Sequence, residues 1–359
     1  MNKSRIFSFM LISMIAFSSL ASPMTAFARS SKPDRGQTGP QTYSVVVGAE
    51  NSSLGVTVNA FFPENLRIHV GDTVLFNQNS FEIHTVTFLA GGPMPDLLVP
   101  FPLGPSGAMM LNPMVAFPTP PSSGYDGSSY ANSGVMSLDP GQPTQFSLTF
   151  TNPGTYDYVC VVHGITMSGK VEVVDPSVNI LSPKDVSKQA KKDIHNSLKE
   201  GKRVYKEAMS NLPKPTRNPD GTLTYHVVMG YSKGQIDLMA FFPRKLNVHQ
   251  GDTVEWAMGA TNMAPHTVTF LNGAEEPPFV VPVPNPAGGP PFLVINPEVA
   301  LPQNAAGPVT RTGIYNSGLM ENGMPNFSIK IGDIVGPISY ECLLHDASGM
   351  VATLNVLPR

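Results

Sequence analysis

The chain has 359 residues, enough for two domains that each bury a core. Only 14% of residues are charged while Gly (32) and Pro (36) are abundant, which argues against a mainly helical protein and for a turn-rich, all-β one. A formal net charge of −3 makes nucleic acid a poor partner.

The N-terminus reads as a secretory signal. Lys3 and Arg5 form a short basic region, Ile6 to Ala21 is apolar, and Ala26-Phe27-Ala28 is a small-x-small cleavage site. Removal of residues 1–28 takes away two positive charges and moves the net charge from −3 to −5. The apolar run is short for a membrane span, so the expected location is extracytoplasmic.

Residues 41–176 read as a first domain. Thr42–Val47, Val56–Phe62, Leu66–Val70, Thr73–Asn77, Phe146–Phe150, Tyr156–Val162 and Lys170–Val174 are β-branched or aromatic runs bounded by turn residues. With no helical period between them, they predict a Greek-key β-sandwich. Residues 90–142 form a Pro-, Gly-, Asn- and Met-rich insertion, of a length that is usually functional or flexible.

Residues 177–221 form a linker. Ser182 caps a helix with Pro183 at its first position. Val186, Ala190, Ile194, Leu198, Tyr205, Ala208 and Met209 then lay one apolar stripe as far as Asn211. Eight Lys or Arg between Lys184 and Lys206 oppose three acids. That face suits either an acidic partner or anionic envelope, or a solvated spacer packed along one domain; the spacer is the preferred reading.

Residues 222–359 repeat the first domain. Ala60-Phe61-Phe62-Pro63 returns as Ala240-Phe241-Phe242-Pro243, and HTVTFL occurs at 84–89 and 266–271. The offset stays between 180 and 184 throughout, and a second insertion spans 272–324. The expected fold class is all-β: two tandem Greek-key sandwiches joined by a helical linker.

One ligand pattern occurs in both copies: His84, Cys160, His163 and Met167, then His266, Cys342, His345 and Met350. Two imidazoles and a thiolate with a weak axial thioether make a blue-copper electron-transfer site. A stiff loop between two strands suits a carrier that must change charge without moving its ligands. A Cys160–Cys342 disulfide is the competing reading of a secreted chain. It leaves the adjoining His and Met unexplained.

On these residues both domains resemble the cupredoxins, the family of plastocyanin, amicyanin and azurin. The C-x2-H-x4-M spacing from Cys342 to Met350 is plastocyanin-like; the C-x2-H-x3-M spacing from Cys160 to Met167 lies between plastocyanin and amicyanin. The resemblance omits the insertions and linker. It implies an eight-stranded sandwich, up to two type 1 coppers per chain, and electron transfer with an unknown redox partner protein. It also implies that His163 and His345 are the ligands nearest the surface; Pro93, Met94, Pro95 and Phe101 of the first insertion are expected to form an apolar rim around His163. The sequence departs from the family at Thr85 and Thr267, where Asn often braces the cysteine loop.

Two-domain cupredoxins also include nitrite reductases and small laccases. The chain has no H-x-H pair, and Val159, Glu341, Leu89 and Leu271 stand where nitrite-reductase-like proteins need His. Copper delivery is the remaining alternative. His69 and His249, in equivalent positions, are expected to face solvent. Met109, Met110 and Met114 are expected to form an apolar lid rather than a cuprous site. Contact with the cell envelope and oligomeric state stay open.

Overall fold

The computed structural model describes residues 39–359; the expected signal, residues 1–28, lies outside the described residues. The first repeat runs β1 (Thr42–Asn51), β2 (Val56–Phe62), β3 (Asn65–His69), β4 (Thr73–Gln78), β5 (Thr87–Phe88), β6 (Leu98–Pro100) and β7 (Met109–Leu111). The one-turn helix α1 (Pro113–Ala116) leads to β8 (Pro118–Thr119), β9 (Ala131–Ser133), β10 (Gln145–Thr149), β11 (Gly154–Cys160) and β12 (Gly164–Val174). Helix α2 spans Pro183–Ser210, with the Ser182 hydroxyl accepting from the Asp185 amide as its N-cap.

After it come β13 (Thr216–Arg217), β14 (Leu223–Lys233), β15 (Ile236–Phe242), β16 (Lys245–His249) and β17 (Thr253–Met258). The repeat closes with β18 (Thr269–Phe270), β19 (Val280–Val283), β20 (Phe292–Ile295), α3 (Pro297–Ala300), β21 (Tyr315–Asn316), β22 (Phe327–Lys330), β23 (Gly336–Glu341) and β24 (Val351–Leu357).

Each repeat is a sandwich, because alternate residues of its strands are apolar and turn inward. In the first, β10-β4-β1-β2 packs on β3-β12-β11-β5-β9-β8. Tyr43, Val45 and Phe76 from one layer meet Tyr158, Val171 and Val173 from the other. In the second, β15-β14-β17-β22 packs on β16-β24-β23-β18-β21 around Trp256, Phe270 and Tyr340.

The repeats are fused rather than strung together. β2 pairs antiparallel with β15, so one sheet runs through both sandwiches. Val56, Thr57 and Val58 lie opposite Leu238, Asp237 and Ile236. Those three are the repeat equivalents of Val58, Thr57 and Val56 in reverse, so the junction is a local two-fold with Thr57 and Asp237 at its centre. Both strands are buried on both faces. Their outer face carries Val56, Val58, Ala60, Phe62, Ile236, Leu238, Ala240 and Phe242, which form a third core with Ala190, Ile194, Leu198 and Val204 of α2.

The helix therefore covers the seam between the repeats instead of lying along one domain, the physical reason being that both β2 and β15 present apolar outer faces. The insertions also meet: β6-β7-β20-β19 is one small sheet, with Val294 opposite Met110 and the Phe101 ring 5.7 Å from Phe292. Within it Met109 and Met110 are strand residues and Met114 is exposed on α1.

Candidate metal centres

β11 ends at Cys160 and β23 ends just before Cys342, so each thiol is delivered at the rim of its own sandwich core. Both cysteines are fully buried in separate cores and neither is in a disulfide. Around each, the structure gathers two imidazoles: His84, Cys160 and His163 in one repeat, His266, Cys342 and His345 in the other. In each group the candidate ligand atoms lie within 4.8 Å of one another.

The atoms turned inward are Nδ1 and Sγ throughout. Cys160 Sγ lies 3.9 Å from His84 Nδ1 and 3.4 Å from His163 Nδ1. Cys342 Sγ lies 3.7 Å from His266 Nδ1 and 3.4 Å from His345 Nδ1. A metal–sulfur bond of about 2.3 Å and a metal–nitrogen bond of about 2.0 Å, set trigonally, place S and N roughly 3.8 Å apart. The donor spacing fits one ion in each group. Met167 and Met350 are fully buried in the same apolar clusters as Cys160 and Cys342.

Without a bound metal, each thiol and its neighbouring imidazole would favour one another's charged form. Burial opposes ionisation of both thiols, yet the neighbouring imidazoles, His163 for Cys160 and His345 for Cys342, hold them well below the usual range. Burial likewise opposes charge on His163 and His345, but the adjacent thiolates and Glu82 raise them to about 10 and about 9. Burial lowers His266. Its Nδ1 lies 3.0 Å from that of His345, an approach that requires one nitrogen to be unprotonated. A metal ion entering either site displaces these protons.

The backbone close to the ligands is shaped by two glycines. The pairing of β1 with β2 shifts register between Val47 and Ala49, and that of β14 with β15 shifts between Met229 and Tyr231. Gly48 and Gly230 lie in these irregularities at φ of 69° and 67°. A Cβ on Gly48 would stand 2.6 Å from His84 Nε2, and one on Gly230 would stand 2.4 Å from His266 Nε2. The sequence signal was a glycine interrupting a valine-rich strand.

Thr85 and Thr267 do the bracing that the resemblance assigns to Asn. The Thr85 hydroxyl accepts the amide of Val161, directly after Cys160, at 2.8 Å, and its own amide donates to Cys160 Sγ at 3.3 Å. The hydroxyl then donates to Thr87 at 3.0 Å, and Thr87 donates to Asn132 at 2.9 Å. Thr267, Thr269 and Asn316 repeat the relay. Thr85→Val keeps the shape but leaves the buried Val161 amide without an acceptor, a loss of about 1–3 kcal/mol. A lower midpoint in denaturant is expected for Thr85→Val, with recovery in Thr85→Ser. Equal midpoints for Thr85→Val and the parent chain would show that the brace contributes nothing.

The imidazole Nε2 atoms differ between the sites. His84 Nε2 meets the Ser80 hydroxyl at 3.1 Å, whereas His266 Nε2 has no hydrogen-bond partner and stands beside Asn262. His163 and His345 are the most exposed ligands of their sets, as expected, but their side chains are only 12% and 6% exposed, and Nε2 of each points at one residue, Glu82. Fusion of the repeats turns these imidazoles towards each other instead of towards solvent. Phe101 of the expected rim packs on Phe292.

The remaining histidines gather no third ligand. His69 bonds the Val178 carbonyl at 2.8 Å, His226 lies 3.1 Å from Glu255, and His249 lies 3.7 Å from Asp252. Among the described residues, the two sites above are the groups of three or more metal-ligating side chains.

The sequence model of the copper binding proteins of the plastocyanin/azurin family matches residues 47–174. Similar solved structures include an oxidized amicyanin mutant (23% identity, 37% of this chain and 82% of that chain, TM-score 0.22). Another is amicyanin from Paracoccus versutus (18% identity, 37% and 81%, TM-score 0.22). No curated protein matches. The donor chemistry of both sites, a buried thiolate with two imidazoles and a thioether in the same core, is that of type 1 copper, with up to two ions per chain. Residues 47–174 match the plastocyanin/azurin copper-binding family, and the second repeat gathers the same donor types, so the chain is built from two tandem cupredoxin-like repeats with up to two type 1 copper sites.

Proposed function

We propose that the protein carries electrons outside the cytoplasm. His84, Cys160, His163 and Met167 would hold one copper, and His266, Cys342, His345 and Met350 the other. When bound, copper supplies a one-electron couple; the chain's part is to fix the donors, exclude water and order the two sites. The observation that carries this reading is that the two imidazoles and the thiol of each set already lie together, buried and braced by the Thr relay, with the Met in the same core. Ligands that need not move add little to the barrier for electron transfer.

Burial disfavours the delivery reading, because an acceptor would need to reach donors that are at most 12% exposed. A catalytic copper lacks support too, since the nitrite-reductase histidine positions hold Val159, Glu341, Leu89 and Leu271. A redox protein is the proposed partner, and nucleic acid is not. The exposed Lys184, Lys188, Lys191, Lys192, Lys199, Lys202, Arg203 and Lys206 of α2 suit peripheral contact with an anionic envelope.

The test is stopped-flow reduction and reoxidation of copper-loaded protein by one-electron reagents, with oxygen and nitrite monitored alongside. Rapid exchange of two electrons per chain without consumption of either is expected. Steady turnover of oxygen or nitrite would replace the carrier by an enzyme, and ready loss of copper to a chelating acceptor would favour delivery.

A further inference from the structure

Glu82 is a buried carboxylate that no feature of the repeat explains. It is two residues before His84, and its equivalent in the second repeat is Ala264. It is 7% exposed. Its Oε1 lies 3.7 Å from Nε2 of His163 in its own repeat, and its Oε2 lies 3.4 Å from Nε2 of His345 in the other. Both separations exceed a hydrogen bond, and Oε2 has no other partner. One carboxylate stands midway between two imidazoles whose opposite nitrogens face the two thiols.

We propose that Glu82 is a shared positioning residue that links the two metal centres into one coupled redox pair. The proposal rests on the reading of both donor sets as copper sites. A continuous path runs from Cys160 through His163, Glu82 and His345 to Cys342, with no non-bonded gap longer than 3.7 Å. A carboxylate on the outer nitrogen of a ligating imidazole orients the ring and makes it a stronger donor. The buried negative charge of Glu82, with Asp237 as a further buried acid at the seam, therefore favours the oxidised ion in each. The geometry also makes the link competitive. Each oxygen is just beyond bonding length, so a small shift that closes the contact to one imidazole opens the other. Ala264 supplies no carboxylate from the equivalent position, so the link is made from one repeat alone.

Glu82→Gln keeps the size and removes the charge. In copper-loaded protein each site is expected to lose about tenfold of its preference for the oxidised ion, which moves both potentials up by about 59 mV. In metal-free protein the Nε2–H signals of both His163 and His345 are expected to shift in nitrogen-resolved NMR. Glu82→Asp keeps the charge but is too short to face both rings, so one potential and one imidazole signal should move much more than the other. Potentials unchanged in Glu82→Gln, or only one wave moved, would overturn the link. If the parent chain binds no copper, the two-site reading fails by itself. The metal-free spectra still decide the link, and unmoved imidazole signals there would overturn it as well.

Discussion

Cys160→Ser and Cys342→Ser are each expected to remove one copper and about half of the visible thiolate-to-copper absorption. A serine hydroxyl stays protonated at neutral pH and is a hard donor, whereas the site depends on a soft, ionised sulfur. The cysteines occupy separate cores, so each substitution should leave the other donor set in place. The loops also differ: three residues separate His163 from Met167, four separate His345 from Met350, and Ser80 stands by His84 where Asn262 stands by His266. The two residual spectra should therefore be distinct. Copper counted per chain, with optical and EPR spectra, checks this. A parent chain with one copper, unaffected by Cys342→Ser, would remove the second site; loss of both coppers from one substitution would show that neither site forms alone.

The ligands were legible because the chain states them twice. A single His, Cys, His and Met at these spacings is weak; the same pattern at a constant offset, with the only two cysteines in register, is strong. The strands followed from alternation and turn residues, and α2 from its cap, proline and stripe. Hidden were the contacts between repeats. Duplication predicts what two copies share, and the seam is made where they differ or meet. Glu82 has no echo in Ala264, and Thr57 faces Asp237 across the local two-fold. In Val56–Phe62 the apolar residues Val56, Val58, Ala60 and Phe62 alternate with Thr57 and Asn59, which ordinarily means a polar face in water. Here that face is buried too: Phe61 on it packs in the first sandwich core, and the Asn59 side-chain amide donates to Asp237 at 2.8 Å. Nothing local marks a strand whose polar side is covered by a second copy. The basic stripe on α2 was visible, but not what lay under its apolar side.

Separating the repeats should therefore be far more damaging than a two-domain sequence suggests. A fragment covering 39–176 exposes the bonding edge of β2 and uncovers Val56, Val58 and Phe62, while 222–359 uncovers Ile236, Leu238 and Phe242. Each large apolar side chain is worth about 1.5–3 kcal/mol when buried, and a whole domain has only about 5–15 kcal/mol to lose. The ladder also loses the Asn59 amide to Gln235, the Met239 amide to Gly55 and the side-chain bond from Asn59 to Asp237. An unpaired strand with an apolar face seeks another strand. Because the junction is locally two-fold, the first fragment can pair β2 with β2 of a second copy, Thr57 against Thr57. The expected result is a dimer or aggregate from 39–176, and aggregation or poor copper retention from 222–359, which also lacks Glu82 beside His345. Light scattering with copper analysis checks both. A monomeric 39–176 fragment with a full type 1 spectrum would show that the continuous sheet and its helix are not needed to hold the first site together.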